Sequence, residues 1–281
     1  MERVPTAGQF LALALWAAAA LYTAYRRGFF RLPYKEPVSP PHISFLKLIV
    51  AFAATFLLPG AIVVLFANGR GYGELVDAPT TTALPLVATW GMLLIVLLCW
   101  WFTGKESRRR LFEWGGGSRW WRAAGLGALS WLLIFPFASL VGSSVEIFFT
   151  YLLGSDSTEQ VAVSLVRSVM ADKSLFVLNA LSLIVMVPVT EELLFRGFLY
   201  SFLRRKLSMG WSITVCALLF AVFHYHRSQG AVINLTLLFT LALLGGFLAY
   251  IYERERSLWA PIALHATFNL MSILALIGGL G

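Results

Sequence analysis

174-SLFVLNALSLIVMVPVTEELLFRGFLYSFL-203 runs for thirty residues with only three charges, Glu191, Glu192 and Arg196. An amphipathic helix on a soluble domain would alternate an apolar stripe with a polar face. This stretch is apolar all round, as a membrane span of about twenty or more residues must be. At a rise of about 1.5 Å per residue it is roughly 45 Å long, enough to tilt or to project past the bilayer. Pro188 removes one backbone hydrogen bond within it and is a candidate kink.

The whole chain has the same character. Its 281 residues are 59% hydrophobic and 13% charged, with a mean hydropathy of +0.77, whereas a soluble domain is about 25% charged. Eight spans account for the apolar runs, at approximately 7–25, 46–67, 83–103, 123–151, 174–203, 211–226, 230–252 and 258–279. The predicted fold is therefore all-α, a polytopic membrane protein of about eight transmembrane helices forming a single integral membrane domain over 1–281. Residues 1–172 supply four spans and an interfacial segment, and 173–281 the remaining four. The first run is read as a retained helix, because only Arg3 precedes it and the denser charge, Arg26 and Arg27, follows it. The segment 155–172 has the pattern of a short amphipathic helix at the interface, with Val161, Leu165 and Val169 on its apolar side.

A formal net charge of +8 invites a nucleic-acid partner, but the placement of the basic residues excludes it. Sixteen Lys and Arg fall in the loops after spans one, three, five and seven, against five (Arg3, Arg70, Arg167, Lys173 and Arg227) on the opposite side. That is an orientation signal, and it predicts both termini outside the cytoplasm. Cys99 and Cys216 both lie inside spans and make no disulfide framework.

Ionisable side chains at membrane depth cost about 2.5–3.5 kcal/mol each on insertion scales and mark functional sites. Here they concentrate in the last four spans. Besides Glu191, Glu192 and Arg196 there are 220-FAVFH-224, with Phe220 and His224 four apart, and 265-HATFN-269, with His265 and Asn269 four apart. Residues at i and i+4 share a helix face, so each helix aims one pair inward. Counted from the cytoplasmic ends at about 1.5 Å per residue, Glu191, His224 and His265 lie roughly 22, 21 and 12 Å deep, all within the hydrocarbon. Taken singly, each feature has a plain structural reading. Glu192 and Arg196 neutralise one another, a histidine bonds a carbonyl, and Asn269 joins two helices. Taken together, they can form one site.

The motifs Glu191-Glu192-x-x-x-Arg196, Phe220-x-x-x-His224 and His265-x-x-x-Asn269, in this order over about residues 175–280, resemble those of the CAAX-protease and bacteriocin-processing (CPBP) family of intramembrane endopeptidases. The resemblance implies a catalytic core in the last four spans. It also implies hydrolysis of a peptide bond in a membrane-associated protein or peptide, in CAAX-type, leader or C-terminal sorting-tail processing. Glu191 and His224 would activate water, His265 and Asn269 would stabilise the oxyanion, and Glu192, Arg196 and Phe220 would support the site. No cofactor is expected. The alternative is zinc held by Glu191, His224 and His265, a plausible donor set although HExxH is absent. Two other classes stay open: a non-catalytic immunity or binding protein of the same fold, and a proton-coupled transporter, whose relays use buried Glu and His. The expected partners are the substrate and the lipid bilayer, the expected location a bacterial or archaeal cytoplasmic membrane, and the sequence sets no oligomeric state.

Overall fold

The computed structural model describes residues 6–34, 40–69, 78–115, 119–154 and 159–278, with the backbone alone at 62–69 and 78–84. Arg3, Lys35 and Arg70 of the charge count, residues 155–158 of the interfacial segment and the last residue of the span at 258–279 lie outside these. The helices are α1 (Ala7–Arg26), α2 (Phe45–Gly69), α3 (Ala78–Trp101), α4 (Lys105–Phe112), α5 (Trp120–Leu153) and α6 (Val161–Val169). They are followed by a continuous α7 (Lys173–Arg204), then α8 (Met209–Val222), α9 (Ala231–Glu255) and α10 (Trp259–Ile277). Five of these, α1, α5, α7, α9 and α10, are long and apolar enough to cross a membrane, and three shorter apolar stretches fall at Phe45–Ala61, Pro85–Trp101 and α8. The protein is an all-α polytopic membrane protein.

Helix ends follow local chemistry. Thr6 caps α1 in a capping box with Gln9, and Asp172 caps α7 by accepting from the Ser174 and Leu175 amides, each pairing backbone donors that a helix start leaves free. The predicted span at 211–226 is shorter than expected, because the helix ends at Val222 and a turn carries Phe223 onward. Polar residues from His224 to Gln229 favour that turn. Fourteen residues span only about 21 Å, less than a hydrocarbon layer of about 30 Å, and His224 lies in the turn that follows α8.

The loops sort onto two ends. At one end, the loops after α1, α3, α7 and α9 meet. The Tyr34 hydroxyl donates to a Glu253 carboxylate oxygen at 3.0 Å, Arg204 reaches the same oxygen at 3.4 Å, and Arg256 donates to the Gly115 carbonyl at 2.8 Å. At the other end the Val161 amide, before α7, donates to Gln229, before α9, at 2.8 Å. The amphipathic segment forms α6, with Val166 and Val169 buried.

α9 and α10 both pack on α5, and α8 packs on α9. Glycine permits two of these approaches. A Cβ on Gly127 of α5 would lie 2.1 Å from the Ala260 carbonyl oxygen of α10, and one on Gly245 of α9 would lie 3.0 Å from the Phe220 ring and 3.3 Å from the Ala217 Cα. Small residues that let backbones approach are the usual means of joining helices in lipid, where no hydrophobic force drives association.

Candidate active site

α7 is not a regular helix. Two stretches are wound more widely, as π-helix, at Ser182–Met186 and Leu193–Tyr200, on either side of Glu191 and Glu192. Such turns occur mostly at functional sites. Adjacent residues on a helix point about 100° apart, so the two carboxylates face different neighbours.

Glu192 is fully buried, and one of its oxygens is shared by the Arg196 guanidinium at 2.7 Å and by His265 Nδ1 at 2.8 Å. Arg196, also fully buried, uses its other terminal nitrogen to donate to the Gly245 carbonyl at 2.9 Å and lies 4.5 Å from the centre of the Phe220 ring. Glu191 is partly open, its side chain 21% exposed, and faces both imidazoles. One of its oxygens is 3.5 Å from His224 Nε2 and the other 3.9 Å from His265 Nε2. Phe220, with no exposed surface, is the spacer among these groups. Its ring centre is 4.6 Å from that of His224 and 6.1 Å, nearly edge-on, from that of His265.

Hydrogen-bond partners fix where the ring protons sit. His224 Nδ1 is 2.7 Å from the Phe220 carbonyl, which can only accept, so Nδ1 carries the proton and Nε2 is the atom presented to Glu191. His265 Nδ1 faces a carboxylate in the same way, leaving its Nε2 towards Glu191. The structure thus brings six of the seven singled-out side chains into one contact network. The seventh, Asn269, lies one turn beyond His265 on α10, and its amide nitrogen donates to the Leu183 carbonyl of α7 at 2.8 Å.

Several participants carried no sequence signal. The Gly245 and Leu183 carbonyls are main-chain groups that no motif can report. The Asn234 amide donates to the carbonyls of His226, Gln229 and Gly230, at 2.9, 3.1 and 3.2 Å, and so ties down the loop that follows His224. Asn179 donates within its own helix to the Leu175 carbonyl. A groove of about 490 Å³ between α8 and α9 opens beside this loop, lined by His224, Val222, Tyr225, Leu235 and Leu238.

Among the described residues no three His, Cys, Asp or Glu side chains are arranged to hold an ion.

The protein is an all-α membrane protein in which two carboxylates, a guanidinium and two imidazoles gather in one largely buried cluster. Residues 173–271, the segment holding every one of these side chains, match the Rce1-like family, type II CAAX prenyl endopeptidases. That match supports a CPBP/CAAX protease family assignment for residues 173–271. No curated protein and no solved structure matches it.

Proposed function

We propose that the protein is an intramembrane peptidase of the glutamate type, acting on a peptide bond of a membrane-associated protein or peptide. The observation that carries this is the placement of one partly open carboxylate, Glu191, between two imidazole Nε2 atoms at 3.5 and 3.9 Å. A water bound by Glu191 and His224 would lose a proton to them as its oxygen attacks the scissile carbonyl carbon. His265, protonated on Nε2, and the Asn269 amide would donate to the oxyanion, the kind of fixed donors that lower such barriers most. The captured proton then goes to the departing amine, leaving a carboxylic acid and an amine.

The groove beside His224 supports a lipid-accessible substrate. The convergence of basic loops at one end supports an orientation with that end in the cytoplasm and both termini outside it. Hydrolysis without a metal is favoured because the sequence has no HExxH motif and the three candidate ligands come from three different predicted spans.

The test maps new protein C-termini in membranes with and without the chain. The wild type generates them in a membrane-associated protein. Glu191→Gln, inserted to the same level, loses the activity by about 10²–10⁴-fold, the span for a positioned acid–base group. Undiminished cleavage by that variant refutes the assignment. Activity lost in strong chelator and regained with zinc refutes the metal-free mechanism.

A further inference from the structure

The Asn269 amide is held by a carbonyl that a regular helix would not have offered. In an α-helix the Leu183 carbonyl accepts from residue 187. Here the Val187 amide donates to Ser182, five residues back, and in that wider register the next donor, to Leu183, would be residue 188. Residue 188 is proline and has no N–H. The Leu183 carbonyl is therefore left to the Asn269 side chain, which donates to it at 2.8 Å. α3 holds the same turn from the other side, where Trp90 Nε1 donates to the Ser182 hydroxyl at 3.0 Å.

We propose that Pro188 is a positioning residue that, by withholding its N–H, reserves the Leu183 carbonyl to orient the Asn269 amide. A carbonyl only accepts, so it selects the orientation in which the amide nitrogen, not its oxygen, faces α7, the helix that carries Glu191. Once one amide hydrogen is on Leu183, the planar group fixes the direction of the second, which becomes the preset donor. Without the Leu183 bond the amide turns freely and spends part of its time presenting an oxygen to a developing negative charge. The consequence for catalysis rests on the proposed role of Asn269 as an oxyanion donor, whereas the orientation itself does not.

The test restores the missing N–H with Pro188→Ala, a change that raises helix propensity and keeps the span apolar. The full chain, with asparagine as its only ¹⁵N-labelled residue, has four side-chain amides, at Asn68, Asn179, Asn234 and Asn269, and Asn269→Ala assigns the last. In the wild type the Asn269 hydrogens are shifted from the free-amide position and exchange slowly with water. In Pro188→Ala they move to the free position and exchange at least about tenfold faster, as expected for a bond lost at about 1.4 kcal/mol per factor of ten. On a substrate found by terminus mapping, kcat falls by up to about 10²-fold with KM unchanged, the signature of a misdirected group. An Asn269 signal that is the same in both proteins overturns the proposal. A signal that moves as expected in a protein that cleaves nothing leaves the orientation standing and removes the peptidase assignment instead.

Discussion

Glu192→Gln keeps the shape of the side chain and removes its charge, and its consequences follow from the bonds the carboxylate makes. Glu192 and Arg196 have fully buried side chains 2.7 Å apart. Deleting one partner of such a pair costs about 3–5 kcal/mol, because the other charge stays buried without compensation. The Gly245 carbonyl and the Phe220 face still engage Arg196, which places the expected loss near the lower end, about 3 kcal/mol. Replacing both residues with methionine removes both desolvation penalties. Against that gain, His265 and the Gly245 carbonyl each lose a partner, at about 1–3 kcal/mol. The double variant should therefore unfold closer to the wild type than Glu192→Gln does, with a coupling between the positions of about 3 kcal/mol. SDS-driven unfolding in bicelles measures all the variants on one scale. Activity should part company with stability, since both variants leave His265 without the carboxylate that supports its positive charge, and both should be inactive. If the double variant is destabilised by the sum of the single losses, or still hydrolyses peptide, the charges do not act as argued.

Asn234→Ala should release the loop carrying His224 while leaving the α8–α9 contact intact. Amide exchange over residues 225–230 should accelerate, and kcat/KM should fall by about 10²-fold, the cost of a misplacement near 1 Å; unchanged exchange would count against the tether. Tyr34 tests the far end of the molecule. Burial, and after it the Glu253 carboxylate, pushes its phenol up from the ordinary 10.0 to about 12. A raised value in an acid that is neutral when folded means the stabilisation is complete below pH 10 and is lost as pH rises through 12. The stability difference between wild type and Tyr34→Phe should thus be constant below pH 10 and shrink above it, as thermal unfolding across that range would report.

Much of the fold was legible because the bilayer imposes a strong rule, that backbone polar groups must be satisfied within the span. Runs such as 231-AVINLTLLFTLALLGGFLAYIYERE-255 can then be little else than helices. The alternation of basic loops was legible for the same reason, and the meeting of Tyr34, Arg204 and Glu253 at one end accords with it. The spacing of Phe220 and His224 held information beyond a shared face, since the Phe220 carbonyl also sets the His224 tautomer. Three features left too faint a trace. The end of α8 at Val222 depends on how far the following turn dips into the membrane, and Val222 and Phe223 are themselves apolar. The role of Asn234 depends on a loop conformation. The π turns depend on where hydrogen-bond register slips, and only Pro188 hints at that.

Adjacent glutamates on one span look redundant until their directions are considered. A single carboxylate could not both hold Arg196 and His265 and lie between the two imidazole Nε2 atoms. Dividing the tasks leaves Glu192 sealed against Arg196 and His265, and Glu191 partly open between the two Nε2 atoms. The division needs a helix that turns consecutive residues towards different partners, and partners close enough to meet both. α5 and α9 provide the closeness through Gly127 and Gly245, the second of which also accepts from Arg196 with its carbonyl. Insertion scales put each such charge at about 2.5–3.5 kcal/mol on a single helix, so α7 alone would resist the bilayer. Glu192 and Arg196 compensate one another within α7, whereas Glu191 meets His224 and His265 only once α8 and α10 are packed around it.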